Sequence, residues 1–129
     1  MGEAYLIDTS AYSKYLSGLL GTEQLDLIAD VVEAGPIISV IVQMELLSWV
    51  STTKQVEIRV REFIEASVIM PLSEPVILQT VKLRRHYRGL KLPDAIIAAT
   101  AIVHDFTLLS TNDSDFTKIT GLKYRSLTA

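Results

Sequence analysis

Apolar residues recur along this chain in two rhythms. Short runs rich in Ile, Val, Leu and Tyr, namely "AYLID" (4–8), "PIISV" (36–40), "SVIMPL" (67–72), "FTLLST" (106–111) and "LKYRSL" (122–127), have the length and β-branched content of strands. Longer stretches lie between them. Residues 10–19, 22–34, 41–51 and 53–66 read as helices, the last because Val56, Val60, Phe63 and Ile64 return at helical spacing. Glu74-Pro75 opens another helix, since proline suits a first turn; it runs to about Arg88, and Gly89 ends it. A final helix runs from Asp94 to about His104, with Pro93 placed at its first helical position. Strands separated by helices imply right-handed crossovers. The expected fold is α/β: a three-layer α/β/α sandwich around a mostly parallel sheet of roughly five strands, one domain over residues 1–129.

In open parallel sheets, sites gather beyond the carboxyl ends of the strands, where the strand order reverses. The polar residues expected at that end are acids. Asp8 ends the first strand in "LIDTS", where capping the next helix explains it equally well. Glu45 sits in "VIVQMELLSW" among Ile41, Val42 and Trp49, where a carboxylate is costly unless paired or solvated. Asp94 follows Pro93 at the mouth of "AIIAATAIV", in a first turn whose free N–H groups stabilise a negative charge. "LLSTNDSDF" (108–116) adds Asn112, Asp113, Ser114 and Asp115 just past the fourth strand, each also a good turn or cap residue. Taken singly, each acid has a structural explanation. Together they bring at least four carboxylates to one end of the sheet. Two carboxylates about 5 Å apart repel by roughly 3 kcal/mol at an effective dielectric of 20. A cation offsets that cost. Hard oxygen donors point to Mg²⁺ or Mn²⁺, and to metal-assisted phosphoryl chemistry.

Composition narrows the remaining classes. The hydrophobic share of 49% is ample for a core, and no apolar run approaches the roughly 20 residues of a membrane span. With no cysteine and only His86 and His104, a thiolate or histidine zinc site is not expected, and the two histidines read as surface or helix-end residues. These features, with an N-terminus lacking a basic region, lead to the expectation of a soluble cytoplasmic protein without membrane association. The net charge of −3 argues against a chain coated in positive charge for nucleic acid. A local exception lies just before Asp94. Lys82, Arg84, Arg85, Arg88 and Lys91 are five of the chain's twelve Lys and Arg residues. A solvated helix face explains them; a landing strip for phosphates is the sharper reading.

"LIDTS", "MELL", "LPDAIIAATA" and "LLSTNDSDF", in this order and spacing over essentially the whole chain, resemble the PIN-domain ribonucleases, in particular VapC-like toxins of toxin–antitoxin pairs. The resemblance implies that Asp8, Glu45, Asp94 and Asp115 are catalytic metal ligands for Mg²⁺ or Mn²⁺. Thr9, Ser10 and Asn112 support them. The family's last motif resembles T-x-N-x-x-D-F; here Ser110 stands in place of its threonine, and Asp113 is an extra acid among the supporting residues. Also implied are an RNA substrate, a cognate antitoxin that blocks the site, and a homodimer. Two other classes compete. One is a catalytically weak PIN fold that only binds partners. The other is a phospho-receiver domain, which would need a phosphorylatable Asp after a central strand, whereas the third strand ends in "MPLSEP".

Overall fold

The computed structural model describes residues 3–50 and 53–128. Five strands, β1 (Tyr5–Ile7), β2 (Ile37–Ser39), β3 (Val68–Met70), β4 (Thr107–Ser110) and β5 (Lys123–Ser126), form one sheet of order β3-β2-β1-β4-β5. Every neighbouring pair is parallel, with Leu6 opposite both Ile37 and Leu108. The sheet is therefore wholly parallel rather than mostly so. Between the strands run α1 (Thr9–Leu16), α2 (Thr22–Ala34), α3 (Val40–Leu47), α4 (Lys54–Ala66), α5 (Glu74–His86), α6 (Leu92–His104) and α7 (Asp113–Phe116). The chain steps from β1 to β2 to β3 in one direction, then crosses back to β4 and β5. Right-handed crossovers put the helices of these two halves on opposite faces, and the order reverses between β1 and β4.

The core explains the apolar runs. Leu6, Ile7, Ile38, Leu108 and Leu109 are fully buried, as strands covered on both faces require. All of α6 from Ala95 to Ala101 is buried, and its Thr100 hydroxyl is satisfied by donating to the Ile96 carbonyl at 2.7 Å. Small alanines there let the helix lie close to its neighbours, α5 above all.

Several helix boundaries differ from the sequence expectation, each for a local reason. Asp8 caps α1, which starts at Thr9 and ends at Leu16 ahead of Gly18, whose φ is +70°. Helix α3 stops at Leu47, where the Ser48 hydroxyl donates to the Met44 carbonyl at 2.7 Å in place of a further helical turn. Residue 51, the expected end of that helix, lies outside the described residues. Helix α5 ends at His86, because Tyr87 leaves the helical region (φ −110°, ψ 90°) and its hydroxyl accepts from the Thr120 N–H at 2.9 Å. Helix α6 starts at Leu92 with Lys91 at its N-cap, so Pro93 is its second residue and Asp94 its third. The short α7 replaces what reads in sequence as a turn.

Candidate active site

Asp8 lies at the switch point itself. Its N–H donates to the Leu109 carbonyl of β4 at 3.0 Å, which continues the β1–β4 ladder one residue past the strand. The side chain is 5% exposed, yet fully satisfied. Its Oδ1 accepts from the Thr9 N–H at 2.8 Å, the capping bond. Its Oδ2 accepts from the Ser10 hydroxyl at 2.8 Å and from the Ser110 hydroxyl at 2.7 Å. Ser110 is fully buried and also accepts from the Asn112 N–H at 2.9 Å, while Ser10 accepts from the Thr111 N–H at 3.2 Å. One carboxylate thus ties the end of β1 to the end of β4 through two hydroxyls. The same carboxylate caps α1 through Oδ1 and joins the strand ends through Oδ2.

Glu45 is carried on α3, whose N-cap is the fully buried Ser39 at the end of β2. The Ser39 hydroxyl accepts from the Ile41 and Val42 N–H groups at 3.1 and 3.3 Å, fixing where the helix starts. One turn later the half-buried Glu45 Oε1 accepts from the Thr9 hydroxyl at 2.7 Å. Asp94, half-buried in the first turn of α6, carries the clearest electrostatic signature. Burial, then the negative charges of Asp8, Asp115 and Glu45, push its carboxyl up to about 6, with Lys91 acting in the opposite direction. Asp115, on α7, accepts from the Asn112 side-chain amide at 2.8 Å. Asp8, Thr9, Ser10, Ser13, Glu45, Trp49, Asp94 and Asn112 line one shallow depression, with the Asp115 charge acting on it.

Asp113 stands apart from these acids. Its Oδ1 accepts from the Tyr124 hydroxyl, and its Oδ2 from the Ser126 hydroxyl at 2.9 Å and the Thr128 hydroxyl at 2.7 Å. Burial alone would raise its carboxyl, but these three donors hold it below the usual carboxylate range. It clamps α7 onto β5 and does not line the depression. The basic residues Lys82, Arg84, Arg85, Arg88 and Lys91 are all exposed. Arg84 is partly committed, since its Nε donates to the Leu90 carbonyl at 3.3 Å and ties down the loop before α6. Sequence reasoning passes over Ser39, Ser13 and the Tyr124–Ser126–Thr128 clamp; for Trp49 it weighs base stacking against core packing and takes the core as default, whereas Trp49 lines the depression. Only Ser110 carried a signal, as the small hydroxyl residue ending β4.

The donors around the depression are carboxylate, hydroxyl and amide oxygens, a set suited to a hard divalent cation. Asp94, raised first by burial and then by the charges of Asp8, Asp115 and Glu45, fits a cation in charge as well. As the side chains stand, no group of three or more His, Asp or Glu among the described residues is drawn together as a preformed metal site. The hydrogen bonds explain that spacing, because Thr9, Ser10, Ser110 and Asn112 each hold a carboxylate oxygen.

These features define a doubly wound parallel α/β domain with an acidic crevice at its topological switch point. The chain belongs to the PIN-domain family, whose model matches residues 5–122. No curated protein matches the sequence. Among solved structures, a toxin–antitoxin complex from Klebsiella pneumoniae contains a chain 32% identical to this one, with 92% of this chain and 95% of that one covered at a TM-score of 0.69. The fold is also shared with a chain of DNA-bound VapBC from Salmonella typhimurium (16% identity, 98% and 99% covered, TM-score 0.79). A third is a chain of VapBC2 from Rickettsia felis bound to a fragment of promoter DNA (18% identity, 95% and 98% covered, TM-score 0.77). No helix among the described residues is long and apolar enough to cross a membrane.

Proposed function

We propose that this PIN domain is a Mg²⁺- or Mn²⁺-dependent endoribonuclease and the toxin of a toxin–antitoxin pair. The single observation that carries the reading is the Asp94 carboxyl, raised to about 6 where Asp8, Glu45 and Asp115 meet it from three other elements. Burial and the neighbouring negative charges both disfavour ionisation of Asp94, and a cation offsets both. Asp8, Glu45, Asp94 and Asp115 would hold the ion. When bound, a divalent ion supplies Lewis acidity to a phosphate oxygen and lowers the pKa of a water. The chain's own residues do the positioning: Ser10 and Ser110 fix Asp8, Thr9 fixes Glu45, and Asn112 fixes Asp115. Lys82, Arg85, Arg88 and Lys91 would meet RNA phosphates and offset the chain's net charge of −3.

The Klebsiella toxin–antitoxin complex, at 32% identity, supports a cognate antitoxin partner, which on the proposed reading covers the crevice. A homodimer and a cytoplasmic location belong to the same reading. The test is cleavage of labelled RNA with Mg²⁺ or Mn²⁺ and an EDTA control, using protein freed of antitoxin by unfolding and refolding. Asp8→Asn and Asp94→Asn should each lose a hundred-fold or more in rate. Cleavage as fast as wild type in both variants would overturn the assignment.

A further inference from the structure

The depression has an aromatic wall that the carboxylate chemistry does not use. Trp49 lies two residues past the end of α3, is 36% exposed, and lines the depression beside Asp8, Glu45 and Asp94. It is not a loose rim residue. Its ring is stacked with that of Tyr12 (centroids 6.4 Å apart, interplanar angle 23°), and Tyr12 is stacked in turn on Phe63 (4.0 Å, 20°). Tyr12 and Phe63 are buried, and the Tyr12 hydroxyl is anchored by donating to the Arg59 carbonyl at 3.3 Å. A column of three rings therefore runs from the core to the edge of the acidic crevice. The Trp49 backbone N–H donates to the Leu46 carbonyl at 3.3 Å, which keeps the main chain that carries the indole against the end of α3, the helix of Glu45.

We propose that Trp49 is a nucleobase-stacking subsite: it receives the face of a single-stranded base next to the phosphodiester held at the carboxylates. This rests on the ribonuclease reading above and deepens it to a substrate class, single-stranded RNA with an unpaired base beside the cut. The other side chains lining the depression are acids, hydroxyls and one amide, with no Lys or Arg among them. A cation and the basic strip act on phosphates alone, whereas an aromatic face holds the base and adds attraction that does not depend on charge. The backing rings keep the indole in place, so little side-chain freedom is lost when a base lands on it. Stacking depends on ring area, so a purine is preferred over a pyrimidine.

Trp49 is the only tryptophan in the chain, so its fluorescence reports on this subsite alone. Asp94→Asn protein, which should not cut, is titrated with short oligoadenylate and oligouridylate, following both fluorescence anisotropy of end-labelled RNA and tryptophan emission. Binding should quench the emission, more strongly and at lower concentration for oligoadenylate. In the otherwise unaltered enzyme, Trp49→Ala should lose about ten-fold or more in kcat/KM on oligoadenylate, chiefly through KM, while Trp49→Phe should stay within a few-fold of wild type. RNA that binds by anisotropy but leaves the emission unmoved overturns the subsite and leaves the nuclease reading standing. So does a Trp49→Ala enzyme with wild-type KM; the indole then belongs to the apolar groove it also lines with Leu46, Leu47, Val56 and Val60, a surface for a protein partner. Absence of both binding and wild-type cleavage on any RNA would instead overturn the nuclease reading itself.

Discussion

Replacing Asp94 by Asn should make the metal-free protein more stable at neutral pH, the reverse of what most substitutions do. The folded state holds this carboxyl at about 6 against an ordinary value of 3.8. A carboxyl whose pKa is raised by folding opposes folding once it is ionised. The penalty is absent below about pH 4, grows between the two values, and is complete above the folded one. At neutral pH it has an upper bound of about 3 kcal/mol. Asp94 is only half-buried, so solvent screening reduces this to about 1–2 kcal/mol. Asn also forfeits about 0.5 kcal/mol of favourable charge–dipole interaction in the first turn of α6. The net expectation is a gain of about 1 kcal/mol, or roughly 3–5 °C in melting temperature for a domain of this size. Thermal unfolding in EDTA at about pH 7.5 and about pH 4.5 measures it: the gain should be present in full at the first and reduced to roughly a third at the second. Added Mg²⁺ or Mn²⁺ should stabilise wild type more than Asp94→Asn. A variant less stable than wild type at pH 7.5, or shifted equally at both pH values, would refute the claim that burial and neighbouring carboxylates oppose the ionisation of Asp94.

The other acids and hydroxyls separate cleanly by sign. Asp113→Asn should destabilise by about 1–3 kcal/mol, because Tyr124, Ser126 and Thr128 lose a charged acceptor; as this carboxyl is held low, its contribution should fade as acid is added, and a deficit that persists unchanged in acid would contradict the clamp. Ser39→Ala should cost about 1–2 kcal/mol through the lost cap of α3 and should lower catalytic rate by shifting Glu45, seen by comparing melting temperature with kcat. Ser110→Ala removes a donor to buried Asp8 and an acceptor for the Asn112 N–H, so a loss of about 2 kcal/mol is expected, with Ser110→Thr retaining most of the stability. Charge reversal at Arg85 and Arg88, which leaves the Arg84 tether to Leu90 intact, should weaken RNA binding and flatten its dependence on salt; an unchanged salt slope reduces the strip to a solvated face.

Much of the architecture was legible because period and burial coincide. The five runs of Ile, Val and Leu became five strands, and the alternation of strand and helix implied the parallel order that brings Asp8 beside β4. The apolar length of α6 likewise announced its burial. Helix ends were less legible, since they depend on single side-chain contacts: Ser48 turning back on Met44, or Tyr87 drawn toward Thr120. Asp113 and Asp115 show the limit most plainly. Both are acids of one short motif, and only the resemblance to T-x-N-x-x-D-F, not the residues' own chemistry or spacing, singled out Asp115 as the site acid. The partners that decide it, Tyr124, Ser126 and Thr128, lie a strand away, and ordinary hydroxyl residues carry no mark of a clamp in sequence. Trp49 was ambiguous for the same reason, because core packing and site lining look alike until Tyr12 and Phe63 are seen behind it.

The Asp113 clamp also has a meaning in time. A ribosome delivers this chain from Asp8 onward, and three of the four crevice acids emerge well before α7. The helix that carries Asp115 is fastened by hydroxyls that come later, the last of them Thr128. Until those residues clear the exit tunnel, α7 has only its own four residues and a buried Phe116 to hold it. Nascent chains stalled before Tyr124 should therefore leave α7 unfastened to the sheet, with Asp115 held by Asn112 alone, which proteolysis within residues 111–117 would reveal. On the proposed ribonuclease reading, such a schedule would complete the crevice only after the last strand has been made.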